Sequence, residues 1–290
     1  MLKISYNISM FYFLHNYLPS PILLKIGFLQ IHWYGFLIAL GALLGFLAVY
    51  HFAKQYGIKK DEIYDLTFYL IIFGLIGDRL YYVFYAWPYY SQHLGDILKI
   101  WEGGLAIHGA MIAGILVIII YGQKHKINPW FLLDIFIIAL PLAMAFGRWG
   151  NYFNQELFGR PTDFAWGIPI LPAKRPPEFM NNNYFHPTFL YESLWDFLTF
   201  AFLWAWHKLR LAKYKNNLEQ IQGLGNIALV YFILYSLGRF ANEFLRIDYS
   251  PYFFTLRWAQ FFSLLVIAVC LGIITINKFY FRKISEKKQS

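Results

Sequence analysis

Apolar residues in this chain come in long runs. They show neither the alternation of half-buried strands nor the one-sided stripe of a soluble amphipathic helix. Seven runs approach the roughly 20 residues needed to cross a bilayer as a helix: 31–52, 66–86, 103–121, 131–147, 190–206, 224–241 and 257–276. Two are interrupted by charge, one by Asp78 and Arg79, the other by Arg239. Pro19, Pro21 and Gly27 break up the first thirty residues, which read as an interfacial segment without a cleavable leader. Residues 160–189, rich in Pro and Asn ("RPPEFMNNNYFHP"), read as a loop. The pattern predicts an all-α polytopic membrane protein: one integral-membrane domain over 1–290, with about seven transmembrane helices.

Composition supports that class. Of the 290 residues, 59% are hydrophobic and 14% charged, against about 25% charged in soluble domains. The net charge of +9 fits basic loops that orient helices and rest on anionic membrane lipids. Nucleic acid is not expected as a partner, because no zinc-finger spacing or RNA-binding motif accompanies the charge. The single cysteine, Cys270, lies in an apolar run and reads as a small core residue.

Basic clusters set the orientation. With the N-terminus outside, Lys54, Lys59 and Lys60, then Lys124 and Lys126, fall inside. So do Lys208, Arg210, Lys213 and Lys215, and Lys278, Arg282, Lys283, Lys287 and Lys288. They outnumber the scattered outside residues, which begin with Lys3 and Lys25. This orientation makes 160–189 an outer loop and 277–290 a basic cytoplasmic tail.

The unusual polar residues then collect at one depth, near the outer leaflet surface. His32 and Tyr34 ("IHWYG") open the first span, and His108 lies about 7 Å inside the third at 1.5 Å per residue. Arg148 and Asn151 end the fourth; His186, Tyr191 and Glu192 open the fifth; Tyr235, Arg239, Glu243 and Arg246 close the sixth. Ionisable groups at membrane depth are costly, which makes them functional candidates. Bland readings stand beside some of these. Arg79 beside Asp78 is either a structural pair or a snorkelling arginine. Ala106, Ala110 and Gly114 have small-xxx-small spacing for close helix packing, and Asn151 and Asn154 can cap the fourth helix.

Arg239, Glu243 and Arg246 follow i, i+4, i+7 spacing, so on a helix Glu243 can hold both arginines on one face. Arg148 and Glu156 suggest a similar arrangement. Planar guanidinium groups suit bidentate phosphate binding. No HExxH, phosphate loop or GxSxG elbow is present, so neither a metal nor a cofactor is expected. A transport path would spread ionisable residues through the full membrane depth. Neither Ser193 or Ser236 nor Asp134 with Asp196 makes an intramembrane protease site. The residues alone describe an outer-leaflet anionic lipid handled by seven helices, with a transporter or lipid-binding protein for anionic phospholipid as the alternative.

"GRWGNYFNQELFGR" fits the pattern G-R-x-G-N-(F/Y)-x-N-x-E-x-x-G at Gly147, Arg148, Gly150, Asn151, Tyr152, Asn154, Glu156 and Gly159. "HWYG", "GGLAIHG", "HPTFLYE" and "GRFANEFLR" follow the same family's other blocks, in order. Across 31–276 the chain resembles the bacterial prolipoprotein diacylglyceryl transferases. It departs at Asp78, where glycine is frequent, and at Trp149, where leucine is common. The resemblance implies an enzyme of the bacterial inner membrane with its active site toward the outer leaflet. Its substrates would be phosphatidylglycerol and prolipoprotein signal peptides with a lipobox cysteine. It implies catalytic roles for His108, Arg148 and Arg239, with His108 as thiol base or as headgroup ligand. Asn151 and Glu156 would orient Arg148 and the headgroup, with Glu243 and Arg246 completing the site. Tyr34 and Tyr235 would donate to glycerol or phosphate oxygens, and Gly159 would permit a tight turn.

Overall fold

The computed structural model describes residues 9–213 and 225–289. Lys3 and Lys215, used above for orientation, lie outside the described residues, as do the side chains of Arg282, Lys283, Lys287 and Lys288. The chain begins with α1 (Ser9–Asn16) and a hairpin of β1 (Ile22–Ile26) and β2 (Leu29–His32). The helices α2 (Trp33–Gln55), α3 (Lys60–Tyr85), the single turn α4 (Trp87–Tyr90), α5 (Ile107–His125) and α6 (Pro129–Asn154) follow. A second hairpin, β3 (Ile168–Pro169) with β4 (Tyr184–Phe185), precedes α7 (Thr188–Lys213) and α8 (Asn226–Asn242). A third, β5 (Tyr252–Phe253) with β6 (Leu256–Arg257), runs into α9 (Trp258–Gln289). Each apolar run read from the sequence is a helix. Among the described residues, the all-α expectation is amended by three two-stranded antiparallel hairpins.

Among the described residues, five helices are long and apolar enough to cross a membrane: α2, α3, α5, α6 and the 258–279 part of α9. They leave large apolar side chains exposed, among them Leu43, Leu47, Phe68, Ile71, Ile112, Leu116 and Leu265. Such a surface suits lipid rather than water. The chain is therefore a largely helical, multi-pass membrane protein.

The chain divides into two compact units, residues 1–45, 138–207 and 226–290, and residues 46–137 and 208–225. In the first, Leu14, Tyr152, Phe158, Ile168, Ile170, Phe185, Phe189 and Leu190 form one buried cluster. This cluster organises the segment read as a plain loop. The β3–β4 hairpin packs its Ile168 and Phe185 inward, and α1 docks there with the His15 ring stacked on Tyr184 at 4.1 Å.

In the second unit α3 and α5 cross at backbone contact. A Cβ on Gly109 would stand 2.0 Å from the Gly77 carbonyl oxygen, and one on Gly77 would stand 2.6 Å from Ala113 Cβ. The small-residue seam is thus Gly109 and Ala113, not Ala106, Ala110 and Gly114. The cause is where α5 starts: Ala106 is its N-cap, outside the helix.

Arg79 explains that start. Its Nη1 donates to Gly103 O and Gly104 O at 2.6 and 2.8 Å, its Nε to Ile97 O at 2.8 Å, and its Nη2 to Asp96 O at 2.6 Å. Its guanidinium also lies 5.2 Å from the centre of the Tyr90 ring. Gly103 and Gly104 adopt φ of +90° and +70°, a left-handed conformation that glycine takes without steric cost. The chain turns there with its carbonyls on Arg79, and the helix begins only at Ile107. Two expectations are corrected. Arg79 does not pair with Asp78, whose Oδ1 has no hydrogen-bond partner among the described residues. His108 is not 7 Å inside its helix but the second residue of α5, and it is exposed.

Candidate functional site

In the first unit the last turns of α6, the start of α7 and the end of α8 converge on a cavity of about 230 Å³. Arg148, Tyr191, Glu192, Trp195, Asp196, Tyr235, Arg239 and Asn242 are among its lining residues. Close helix packing sets its wall. A Cβ on Gly238 would lie 2.3 Å from Trp195 Nε1, and that nitrogen donates to Leu234 O at 2.9 Å.

Arginines and carboxylates alternate through the site. Arg148 Nη1 is 2.9 Å from Glu192 Oε2, and its Nε is 3.7 Å from Asp196 Oδ2. Arg239 Nη2 is 2.7 Å from Glu243 Oε2, and its Nη1 is 3.7 Å from Glu192 Oε1. Glu192 also receives Arg246 Nη1 at 3.5 Å and a hydrogen bond from Asn242 Nδ2. Glu243 is fully buried, and Arg257 Nε approaches it at 3.1 Å. Arg257 further donates to the carbonyls of Glu243, Arg246 and Asp248, tying β6 to the segment that follows α8.

Sequence reasoning placed Arg239, Glu243 and Arg246 on one helical face. Instead α8 ends at Asn242, and Glu243 and Arg246 lie in the turn beyond it. Arg239 keeps its pair with Glu243, but Arg246 stands 4.0 Å from Glu243 and 2.7 Å from Asp248 Oδ1. Burial raises the Asp248 carboxyl. The hydrogen bond and charge of Arg246, with the charge of Arg257, outweigh it and hold the group below the usual carboxylate range.

Glu156 does not pair with Arg148. It accepts Asn151 Nδ2 at 2.9 Å and Asn154 Nδ2 at 3.4 Å. The reason is how α6 stops. Glu156 N donates to Asn151 O and Gln155 N to Tyr152 O, with Gln155 at φ +52°. This is the Schellman pattern, and it turns the chain away from Arg148. The left-handed residue is Gln155, not Asn151 or Asn154. Gln155 holds that conformation with a buried side chain that donates to Pro169 O at 3.3 Å and accepts from Leu171 N at 2.9 Å.

Gly159 is not a turn glycine either. It pairs as an isolated bridge with Arg246, and its N–H donates to His186 O at 2.9 Å. A Cβ there would stand 2.9 Å from His186 Cβ and Thr188 Cγ2 and 3.0 Å from Leu245 O. Only a hydrogen fits where these chains cross. Tyr34 packs its ring on Gly150, where a Cβ would come within 2.5 Å of it. Tyr235 stacks on Tyr231 with centroids 6.0 Å apart. Trp166 Nε1 donates to the Tyr191 hydroxyl at 2.8 Å, and His186 Nδ1 lies 3.1 Å from the same oxygen. Burial lowers the His186 pKa, so its ring is neutral near pH 7 and can accept from Tyr191. His108 belongs to the second unit, where its ring stacks near Tyr81 at 5.6 Å.

The structure therefore gathers Arg148, Tyr235 and Arg239 around one cavity, with Glu243 and Arg246 behind them. Glu192 was singled out from the sequence only by its depth, and Asp196 only as half of a rejected protease pair; neither was given a role in the site. Their signal was present: two carboxylates spaced i, i+4 near the start of an apolar helix, too costly to bury without cations.

A profile of the prolipoprotein diacylglyceryl transferases matches residues 21–276. A protein of Acaryochloris marina named phosphatidylglycerol–prolipoprotein diacylglyceryl transferase is 42% identical, covering 94% of this chain and 96% of its own. Relatives of the same name from Nostoc sp. and Fervidobacterium nodosum are 42% and 40% identical. The first covers 91% of each chain, the second 83% of this chain and 82% of its own. With a match over this much of its length, the chain belongs to the prolipoprotein diacylglyceryl transferase family.

Proposed function

We propose that this protein transfers the diacylglyceryl group of phosphatidylglycerol to the thiol of the lipobox cysteine in prolipoproteins, the first step of lipoprotein maturation. One observation carries the reading: Arg148, in the family's signature stretch, and Arg239 line the same cavity, each held by a carboxylate side chain. The chemistry is displacement at a glyceryl carbon. The sulfur forms a bond to that carbon, the carbon–oxygen bond breaks, and the electron pair leaves with glycerol phosphate as the thiol gives up its proton.

Negative charge grows on the phosphate as that bond breaks, and fixed donors aimed at such charge are a leading source of catalysis. Arg148, Arg239, Arg246 and Arg257 face Glu192, Asp196, Glu243 and Asp248, so with all groups ionised the site is neutral. What it offers phosphate is directed N–H groups rather than excess charge. Tyr235, on the same wall, supplies a hydroxyl for glycerol or phosphate oxygens. A free thiol, with pKa about 8.5, needs deprotonation to attack well, and the family pattern offers His108 either for that proton or as a headgroup ligand. Tyr34, Asn151, Glu156 and Gly159 take supporting roles through the contacts described above.

Seven helices cross the inner membrane in this reading, with α7 and α8 added to the five apolar ones. The N-terminus and the cavity face the outer leaflet, and the C-terminus is cytoplasmic. Purified protein with phosphatidylglycerol and a lipobox peptide is expected to give a diacylglyceryl thioether by mass, and none with a Cys→Ser peptide. Binding of the lipid without thioether would overturn the reading. His108→Gln is expected to lower turnover and to recover as pH rises; a pH-independent deficit instead assigns His108 to the headgroup.

A further inference from the structure

Asp196 follows Glu192 by one helical turn on α7, and Arg148 lies against both. The Asp196 side chain is only 6% exposed. Its Oδ2 and the Arg148 Nε face each other at 3.7 Å, and neither atom has a hydrogen-bond partner among the described residues. No other ion pair among the described residues includes Asp196. A carboxylate has the wrong sign to attract phosphate, and burying one is costly. Its presence in the cavity wall needs another explanation.

We propose that Asp196 is a positioning residue for Arg148: with Glu192 it grips the guanidinium along two edges and fixes the plane in which the remaining donors meet the phosphate. An arginine tied at Nη1 alone can still swing about its last side-chain bonds. Two acceptors at i and i+4 on one helix remove that freedom, because helical spacing sets their separation. Glu192 takes Nη1, Asp196 faces Nε, and Nη2 has no partner among the described residues. The inference rests on the transferase reading above.

Charge and position predict opposite results for Asp196→Asn, which removes the charge and keeps the shape. If Asp196 mattered only as a negative charge, the variant would bind the anionic donor more tightly at unchanged turnover. As a positioning residue its loss lowers kcat by about tenfold or more, since a misplacement near 1 Å costs on the order of a hundredfold. The KM for phosphatidylglycerol stays level or falls. In an Arg148→Lys background the same change costs less than about twofold, because the group being positioned is gone.

The four proteins of this cycle are assayed for thioether formation, with Tm in detergent measured alongside. A kcat for Asp196→Asn within about twofold of wild type, or an equal loss in both backgrounds, overturns the proposal. Should Asp196→Asn not accumulate, Asp196→Glu keeps the charge and displaces the carboxylate; unchanged kcat there overturns it equally. Wild-type protein that forms no thioether refutes the reaction itself. A working wild type with an indifferent Asp196 refutes only this role.

Discussion

Arg79 and Arg148 both sit in apolar helices, and they spend their guanidinium groups differently. Arg79 gives its donors to the main-chain carbonyls of Asp96, Ile97, Gly103 and Gly104. Arg148 gives its Nη1 to a side chain, Glu192, and turns its Nε toward another, Asp196. A backbone carbonyl cannot withdraw without unfolding its segment, whereas side-chain acceptors leave the main-chain path to other contacts. Arg79 therefore builds the chain path into α5, while Arg148 is held at Nη1 and Nε by side chains and keeps Nη2 without a partner among the described residues. Acceptor type, more than depth or burial, separates an architectural arginine from one able to receive a ligand.

The sharpest way to break this contrast is lysine, which keeps the charge and loses the planar fork. Arg148→Lys and Arg239→Lys are expected to lose about a hundred- to a thousandfold in turnover, or about 2.7–4 kcal/mol. Donor affinity should change less. Arg246→Lys should be milder, since Arg246 stands behind the cavity on Asp248 and Glu192. Activity within about threefold of wild type in both cavity variants would reject the clamp and leave only charge attraction.

Arg79→Lys should fail in the other currency, stability. Three ammonium protons cannot span the carbonyls that the guanidinium now reaches, and each hydrogen bond to a charged group is worth about 1.5–3 kcal/mol. Losing one or two should cost about 2–4 kcal/mol, seen as a lower Tm in detergent and faster proteolysis near 94–104. Donor KM of the surviving folded protein should stay level. A normal Tm with a raised KM would place Arg79 with the ligand-binding arginines.

How far the sequence carried this contrast varied by level. Apolar runs located every long helix, because a bilayer demands about 20 apolar residues whatever the tertiary contacts. Arg148, Arg239 and Tyr235, which line the cavity, were legible as candidates because polar groups in such runs need a reason. Pairings were not legible. Arg148 was matched to Glu156 within its own motif, but the Schellman turn at Gln155 sends Glu156 back to Asn151. The true partners lie on α7, more than forty residues on, and only folding brings them near. The start of α5 was misjudged because nothing local shows that carbonyls at 103 and 104 are bound by an arginine on α3.

Gly159 tests the same lesson on a smaller scale. As a turn glycine it would tolerate no side chain for backbone reasons; as a crossing point it is limited by neighbours. Gly159→Ala should cost about 1–3 kcal/mol by overpacking. Thr188→Ser removes the Cγ2 that the new Cβ meets, while its hydroxyl can keep the bond to Leu157 O. The double variant should recover part of the lost Tm. No recovery would return Gly159 to a conformational role.

The smallest effect expected is at Asp248, a partner of Arg246 outside the cavity lining and the most exposed carboxylate of the constellation. Arg246 and Arg257 hold its pKa below the usual range against the effect of burial. A depressed folded pKa means the unfolded chain binds the proton first as pH falls. The Asp248 contribution is therefore complete above the unfolded value of about 3.9 and is lost as pH drops through the lower folded value. Because the side chain is 37% exposed, solvent screening keeps this below about 1 kcal/mol. His186 works in a separate window: burial lowers its pKa, so stability declines as pH falls below about 6.5, where the unfolded imidazole takes its proton. Unfolding followed from pH 8 to 3 should show both. Asp248→Asn should differ from wild type by a constant amount above about pH 5 and converge with it in acid, while His186→Gln flattens only the decline that begins near 6.5. A difference at Asp248 that persists undiminished at pH 3 would mean the aspartate contributes shape and hydrogen bonding rather than charge.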